Sequence, residues 1–94
     1  MSRRWRDGEL FRIGKLIVSM RYRDVDHHRK PHVHAKYNED EASVAVDGEL
    51  LSGELPERQM KILAGALALH EEETYAAWNN AVQGRPFEKI KTGM

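Results

Sequence analysis

The stretch "KPHVHAKYNEDEASVAVD", residues 30–47, decides the fold of this chain. On either side of "NED", apolar and polar side chains alternate from His32 to Tyr37 and again from Glu41 to Asp47. A two-residue period is typical of a β-strand with one buried face, and the polar residues between the two runs are typical of a tight turn. The stretch therefore predicts a β-hairpin whose valines and alanines face the core.

A further strand is predicted immediately before this hairpin. In "KLIVSMRYR", residues 15–23, Leu16, Val18 and Met20 fall on one side of a two-residue period, and mostly polar residues fall on the other. The polar segment between this strand and Pro31 is a connecting loop. Short connections favour antiparallel neighbours, so we expect a three- to four-stranded, mainly antiparallel sheet. The fourth strand would come from "DGELLSGEL", for which a loop is the alternative.

One long C-terminal helix is predicted from Pro56 to Gln83. Proline suits the first position of a helix because the N–H that it lacks has no partner there, and Gly84 before Pro86 is a typical stop signal. Apolar side chains recur along one stripe of this helix, which we expect to cover the apolar face of the sheet. The stripe consists of Met60, Leu63, Leu67, Trp78, Ala81 and Val82, with His70 and Thr74 inside it.

A second, shorter apolar stripe of Ile62, Ala66 and Leu69 points away from the first. An apolar helix face without a cover is typical of an interface. Either the start of the chain packs on this stripe, or a second copy of the chain does so and forms a homodimer.

These elements together predict a single α+β domain that spans residues 1–94. Its predicted parts are a sheet-forming half (1–55), the long helix (56–83) and a C-terminal tail (84–94). We expect Trp78 and Val44 to lie in the core. In the tail, Phe87 and Ile90 are expected to form a closing strand or clasp.

The composition limits the classes of function. Hydrophobic residues make up 40% of the chain and charged residues 32%, which is the balance of an ordinary globular domain. The chain has no cysteine, which excludes disulfides and thiolate metal sites. No apolar run approaches the roughly 20 residues of a membrane span, and the start lacks a signal-peptide stretch, so we expect a cytoplasmic protein without a membrane partner. Fifteen basic and fifteen acidic residues cancel, which argues against indiscriminate nucleic-acid binding by bulk charge, so any anion binding must come from a local patch.

The histidines of the opening stretch are the first candidates for chemistry. Residues two apart in a strand point the same way and lie about 6.6 Å apart along the chain, so His32 and His34 could both reach one ion or phosphate. Zinc requires three or four ligands, and His27 or His28 from the loop could complete the site, with Asp24 or Asp26 as alternatives; we take His28 as the candidate. The simpler interpretation, which we prefer, is that these histidines cover the solvent side of the sheet without a cofactor. A zinc or other divalent ion held by His28, His32 and His34 is the alternative.

His70 in the predicted helix is a further candidate for a zinc ligand, but the pleat of the sheet argues against it. If the valine between them faces the helix, His32 and His34 face away, and His70 lies on the other side of the sheet. We therefore expect His70 to be partly buried and hydrogen-bonded near Tyr22 or Tyr37.

The same pleat brings basic side chains together on the outer face of the sheet. They are Lys15, Arg21, Arg23, His32, His34 and Lys36. A basic surface on a neutral protein can bind phosphate, RNA or an acidic protein, and Arg4 and Trp5 near the start could add charge and a stacking ring. We therefore predict that all members of this set except Lys15 contact an anion or a partner. The alternative is that these side chains are solvent-exposed and have no binding role.

Several stretches together resemble one small bacterial family, the domain of unknown function 4160. They are "DHHRKPHVHAKY", "EASVAV", "ELLSGELPER", "LALHEEE" and "AAWNNAVQGRPFEKI", in this order, within about residues 9–92. The family shows an aspartate–histidine–asparagine–proline–proline–histidine–x–histidine stretch, a Leu-Pro-x-Arg helix start and a tryptophan near the helix end. The matching positions here are His28, Pro31, His32, His34, Tyr37, Leu55, Pro56, Arg58, His70 and Trp78, whereas His27, Arg29 and Lys30 depart from the pattern.

The resemblance implies no established activity. Members of this family often look like one half of small two-gene modules beside another short domain, which suggests a toxin–antitoxin-like pair. In our first hypothesis, the protein is an interaction module that binds a small partner protein encoded alongside it, RNA or both through the basic, histidine-bearing sheet face. In the second, it is a ribonuclease-like toxin, with or without a metal. There His28, His32 and His34 are the catalytic candidates, and arginines stabilise phosphate charge.

Overall fold

The computed structural model describes residues 7–21 and 30–92, in which five strands form one sheet and two helices cover one of its faces. The strands are β1 (Asp7–Ile13), β2 (Leu16–Arg21), β3 (His32–Tyr37), β4 (Asp40–Ala45) and β5 (Leu50–Gly53), and the helices are α1 (Glu57–Leu69) and α2 (Glu71–Val82). Each strand pairs antiparallel with its neighbour in the chain, in the order β1-β2-β3-β4-β5. The predicted α+β class is confirmed, but the sheet is larger than predicted.

The strand without a clear sequence signal is β1, and a β-bulge explains why. Glu9 pairs with Ser19 and Phe11 pairs with Val18, so Leu10 is an extra residue in β1. A bulge re-aims the side chains beside it, and here Leu10 and Phe11 are both buried in the core. A strand that buries two consecutive residues lacks a two-residue period, so alternation alone does not detect it.

The hairpin predicted from the opening stretch is present as β3 and β4. Tyr37 pairs with Asp40, which leaves Asn38 and Glu39 as a two-residue loop, and Asn38 adopts a positive φ of 55°. Asparagine tolerates this left-handed conformation better than most residues with a side chain. The β1–β2 hairpin has the same loop length, with Gly14 at a φ of 58°. Local turn chemistry thus sets the register of both hairpins.

Burial follows the predicted alternation on the helix side of the sheet. The residues that pack there in one cluster are Leu16, Val18, Met20, Val33, Ala35, Ala42 and Val44 from the sheet, with Leu63, Leu67 and Trp78 from the helices. Trp78 and Val44 therefore lie in the core, as predicted. On the other face of β4, Ser43 and Ala45 are buried as well, so this part of β4 is covered on both sides.

The helical region forms two helices, so the prediction of one long helix is wrong. The break is at His70, whose ψ of 35° departs from helical values. Backbone bonds of 2.9 Å from His70 to the oxygen of Ala66, and from Thr74 to the oxygen of His70, continue across it. The Thr74 hydroxyl donates to the same His70 oxygen at 2.8 Å, and the acidic residues 71–73 suit the positive end of a new helix. Within the described residues, no helix has the length and apolar character required to cross a membrane.

The second apolar stripe is only partly exposed. Ala66 is 1% exposed and lies in the core, and Ile62 is partly buried against the core. Leu69 is 69% exposed. Val82, a member of the predicted core-facing stripe, is the last residue of α2 and is 38% exposed. The homodimer stays a prediction, and Ala66 could contribute to its surface only if the fold changed.

The C-terminal tail forms the predicted clasp. Ile90 donates its N–H to the carbonyl oxygen of Leu10 at 2.8 Å and is buried in the core, and Phe87 packs against the core. Residues 85–92 contain no strand, so the contact is a clasp and not a sixth member of the sheet. Because β1 lies at the edge of the sheet, this bond satisfies one outward backbone group and covers part of that edge.

Alanine at Gly53 and alanine at Gly65 are predicted to have opposite effects on stability. Gly53 has a φ of +74°, and a Cβ there would lie 2.2 Å from the carbonyl oxygen of Glu41, so β5 could not keep its place beside β4. Gly53→Ala should lower the unfolding free energy by about 2–4 kcal/mol. Gly65, inside α1, has nothing within 4 Å of the same position, so Gly65→Ala should raise it by up to about 1 kcal/mol.

Urea denaturation of both variants beside the unsubstituted protein measures these changes, since the free energy of unfolding falls linearly with denaturant. Gly65→Ala is the control for the general effect of adding a methyl group to a glycine. A Gly53→Ala midpoint equal to that of the unsubstituted protein would contradict the close approach of β5 to β4.

Candidate functional site

His32, the first residue of β3, has a buried side chain. It is 2% exposed, and the centroid of its ring lies 4.9 Å from that of Trp78, with the ring planes tilted by 55°. Its Nδ1 is 2.8 Å from the carbonyl oxygen of Lys30, and since a carbonyl only accepts, Nδ1 donates. The expectation that His32 projects into solvent from the sheet face opposite the helices is therefore wrong.

His32 lies where the described pairing between β2 and β3 has ended. Paired residues of β2 and β3 run from Leu16 opposite Tyr37 to Ser19 opposite His34, so His32 lies beyond the described pairs of this ladder. The β3–β4 ladder still includes His32, opposite Ala45, but no described β2 residue pairs with it, and its ring lies beside Trp78 of α2. His32 thus belongs with the core.

His34 lies in the middle of β3 and contacts a carboxylate of the neighbouring strand. Its Nε2 is 2.8 Å from Oε1 of Glu41 on β4. An ionised carboxylate only accepts, so Nε2 carries a proton in this contact, and Nδ1 is the acceptor nitrogen of the neutral ring. The His34 side chain is half-buried and that of Glu41 is exposed. The pair places an imidazole and a carboxylate together on the sheet face that the helices do not cover.

Strand register arranges the side chains around His34 in two rows, which we call the polar face. The first row consists of Glu9, Ser19, His34, Ser43 and Ser52, and the second consists of Arg12, Ile17, Lys36 and Glu41. Directly opposed residues of neighbouring strands project to the same side of a sheet. Burial increases along β3 from exposed Lys36 through His34 to His32. The exposed part of the polar face is therefore at the end that carries the β3–β4 turn.

The charges of the polar face are of both signs. Arg12 donates to the Glu9 carboxylate at 2.9 Å, and this contact lowers the pKa of Glu9 and raises the pKa of Arg12. Lys36 is directly opposite Glu41 in the β3–β4 ladder. Within the two rows, two basic side chains thus face two acidic ones beside His34. The described residues of this face do not form the excess of basic side chains that the pleat predicts.

Some of the predicted site residues lie outside the described residues. These are His28 and Arg23, together with the candidates within 1–6 and 22–29. Arg21 is in β2 and its backbone pairs with β1. In the part of the chain that the structure describes, no three or more potential ligands form a group that could hold a metal ion. A zinc site that includes His28 stays a prediction, and the two strand histidines have separate partners in the fold.

Lys30, which precedes β3, forms a charge cluster with the loop between β4 and β5. Its Nζ is 2.8 Å from Oδ2 of Asp47 and also contacts Oε1 of Glu49. Lys30 and the N–H of Glu49 hold the pKa of Asp47 below its usual range, and the two carboxylates raise the pKa of Lys30. A backbone bond of 3.0 Å from Val46 to the oxygen of Pro31 joins the same two segments. The cluster ties the entry of β3 to the end of β4.

His70, at the break between α1 and α2, bonds within the helical region. His70 is partly buried, as predicted, and its Nδ1 is 2.7 Å from Oε1 of Glu73. Its partner here is therefore not Tyr37, and Tyr22, the alternative, lies outside the described residues. Its Nε2 is buried and has no hydrogen-bond partner among the described residues. The ring and the Glu73 carboxylate lie at the start of α2, where a negative charge is favourable. His70 therefore stabilises the start of α2 and is separate from His34.

Two clefts in the surface lie away from the strand histidines. One, of about 340 Å³, lies between α2 and the C-terminal tail. The other, of about 490 Å³, lies between the β1–β2 turn, Tyr37 and the start of α1. Neither His32 nor His34 lines these clefts. Acid–base catalysis needs groups that converge on a substrate-sized concavity, and neither of these two clefts provides one for His32 or His34.

The site residue without a motif in the sequence is Glu41. The strand register would have identified Glu41 from the sequence. A two-residue loop after Tyr37 puts Glu41 directly opposite Lys36, and therefore diagonally opposite His34. Ser19, opposite His34 on β2, has no such signal, because the long connection between β2 and β3 leaves their register open.

Alanine substitutions at His32 and His34 are predicted to separate a structural role from a surface role. His32→Ala leaves a cavity beside Trp78 and removes a buried hydrogen bond, so it should lower the unfolding free energy by about 2–4 kcal/mol. His34→Ala removes a pair with an exposed carboxylate and should cost about 1 kcal/mol or less. Thermal and urea denaturation measure both losses, and equal losses for the two variants would contradict the burial of His32.

Neutralising Lys30 is predicted to return the Asp47 carboxyl toward its ordinary pKa. Because the native pKa of Asp47 is lowered, the contact stabilises the fold above the ordinary value of 3.8, and this contribution is lost as the pH falls through the lower native value. Lys30→Gln should therefore raise the pKa of Asp47 and narrow the difference in stability between neutral and acidic pH. An NMR pH titration of the Asp47 carboxyl measures the shift.

The matched control for this titration is Lys61→Gln, which removes an exposed lysine paired with Glu57 on α1. It should leave the titration of Asp47 unchanged. An Asp47 curve that is the same in Lys30→Gln and in the unsubstituted protein would show that Lys30 does not perturb this carboxyl.

Comparison with known proteins supplies a family for this chain. No curated protein and no solved structure matches it. The model of one family, Domain of unknown function (DUF4160), matches residues 16–79, from the start of β2 into α2. The match covers more than half of the chain and includes Pro31, both strand histidines and Trp78, which are among the positions of the resemblance. The chain therefore belongs to the domain of unknown function family DUF4160.

Proposed function

We propose that this protein is an interaction module that binds a small partner protein through its polar face, as one half of a toxin–antitoxin-like pair in the cytoplasm. The family resemblance suggests the two-gene setting, since members often occur beside another short domain. The architecture suggests the surface, because the helices cover the opposite side of the sheet. RNA is the competing partner, and ribonuclease activity is the competing function.

The proposal rests mainly on one observation, the first row of the polar face. This row of Glu9, Ser19, His34, Ser43 and Ser52 crosses all five strands without an apolar side chain. Serine side chains are short, so the surface of a partner can approach the sheet closely at Ser19 and Ser52, whereas Ser43 is buried. His34 and Glu41 then provide polar contacts at the centre, and longer side chains such as Arg12 and Lys36 provide a charged rim.

The charges favour a protein partner over RNA. Binding to a phosphate backbone depends on lysine and arginine side chains that neutralise phosphates. On the polar face, Arg12 is engaged by Glu9, and Lys36 is opposite Glu41. The cations are thus matched by acids within the face. A surface with both signs of charge complements a protein of mixed charge, which contributes to specificity and to the association rate.

The positions of the histidines give less support to the ribonuclease alternative. General acid and base groups must lie within hydrogen-bond reach of the substrate. His32 is buried against Trp78, and its Nδ1 donates to the carbonyl oxygen of Lys30. His34 is bound to Glu41, in a different environment. A catalytic site that used both strand histidines would require His32 to leave the core.

Co-expression with the small protein encoded alongside tests the proposal. We expect the two proteins to elute together in size-exclusion chromatography. Replacement of both Arg12 and Lys36 by alanine should weaken the complex about tenfold, a loss of about 1.4 kcal/mol. The matched control replaces Lys61 and Arg85, a lysine and an arginine that are exposed on α1 and in the tail, and it should leave the dissociation constant unchanged.

Three outcomes would contradict this assignment. Equal affinities of the polar-face variant and the control would place the binding surface elsewhere. A mobility shift with single-stranded RNA that is lost in the polar-face variant would favour RNA as the partner. Cleavage of that RNA that is abolished by His34→Ala would favour the ribonuclease alternative.

A further inference from the structure

A cleft of about 490 Å³ lies at the end of the sheet that carries the β1–β2 and β3–β4 turns. Its lining combines Ile13, Gly14 and Lys15 from the first turn, Tyr37 from the end of β3, and Arg58, Gln59 and Ile62 from the start of α1. Small-molecule sites typically have volumes of roughly 300–1,000 Å³. The cleft opens between the sheet and the helices, so it is on the other side of the sheet from the polar face.

The two cations of this cleft, Lys15 and Arg58, have no counterion in the described part of the chain. Neither forms an ion pair or hydrogen bond with another described residue. The nearest acid in sequence, Glu57, is 3.6 Å from Lys61 instead. No acidic side chain is among the described residues that line the cleft. The local charge is therefore positive, although the whole chain is neutral.

In the "LPER" segment at the start of α1, Leu55 and Pro56 have structural roles, whereas the Arg58 side chain is available to bind a ligand. Leu55 is buried in the core, and the carbonyl oxygen of Pro56 accepts the N–H of Met60 at 3.0 Å. The Arg58 side chain is exposed, and an uncharged residue of similar helix propensity would serve the helix equally well. Its planar guanidinium can bind a carboxylate or a phosphate through two parallel hydrogen bonds.

The remaining lining residues indicate the body of a ligand. Ile13 and Ile62 are partly buried against the core and give the cleft an apolar wall. The hydroxyl of Tyr37 and the amide of Gln59 can donate further hydrogen bonds. A ligand with an anionic group beside the cations and an apolar group against the isoleucines would match both kinds of side chain.

We propose that this cleft binds a small amphiphilic anion, namely a carboxylate or phosphate carried by a short apolar body. Arg58 and Lys15 bind the anionic group, and Ile13 and Ile62 contact the body. This site is independent of the proposed partner binding, because the polar face and the described lining of the cleft share no residue.

NMR titration of the isotopically labelled full chain tests this site. The probes are hexanoate and hexyl phosphate, with hexan-1-ol as the probe without charge and inorganic phosphate as the probe without an apolar body. We expect saturable shifts of the amides of Gly14, Lys15, Arg58 and Gln59 with at least one amphiphilic anion. The other two probes should bind at least about tenfold more weakly, and the tighter of the two anions identifies the head group.

Two variants test the role of the cations. Arg58→Gln and Lys15→Gln should each weaken binding of the tighter anion about tenfold. Both side chains are exposed, so both variants should keep the fold, which the amide spectra of the free proteins check. Lys91→Gln is the matched control, because Lys91 is exposed, lies in the C-terminal tail and is outside the cleft lining. It should bind as the unsubstituted protein does.

Any of three results would overturn the proposal. The first is the absence of saturable shifts with both hexanoate and hexyl phosphate. The second is binding of hexan-1-ol or inorganic phosphate as tightly as the amphiphilic anions, which would leave one half of the site without a role. The third is an unchanged dissociation constant in both Arg58→Gln and Lys15→Gln.

Discussion

The register between β3 and β4 is the constraint on which the rest of the structure depends. Directly opposed pairs along the whole of β3 hold the two strands together. Because side chains alternate with a period of two, a slip by one residue would exchange core-facing Val33 for outward-facing His34. That exchange would bury a histidine away from its carboxylate partner and expose a valine to water, and both changes cost free energy. The tight turn at Asn38, with its left-handed backbone, favours the same alignment.

The other elements are attached to this hairpin by contacts that differ in kind. β2 flanks β3 and β5 flanks β4, where the lack of a side chain at Gly53 permits close approach to the backbone of Glu41. The edge strand β1 is held by its bulge and by the tail bond from Ile90 to Leu10. His32 lies where the described β2–β3 pairing ends and α2 packs, so it joins sheet and helix instead of facing solvent. These attachments leave one face of the sheet uncovered by helices.

Two surfaces of different chemistry result from this arrangement of a neutral chain. On the polar face, acids and bases are paired across strands, as in Arg12 with Glu9, which suits a macromolecular partner of mixed charge. In the cleft beside the turns, Lys15 and Arg58 have no acid opposite them among the described residues, which suits an anion. Net charge alone distinguishes neither surface, because the sum over the chain removes the local differences.

The sequence by itself determined the α+β class, the β3–β4 hairpin, the core position of Trp78 and membership of the family. Alternation, turn chemistry and helical periodicity act between residues that are close in the chain, so they are visible without a structure. Only the tertiary structure decided the burial of His32, the pairing of His34 with Glu41, the helix break at His70 and the presence of β1. Local rules describe one strand or one helix at a time. The burial and the partners of these residues depend instead on where a strand ladder ends, where a bulge occurs and which distant element packs against the site. Contacts between residues far apart in the sequence determine all three.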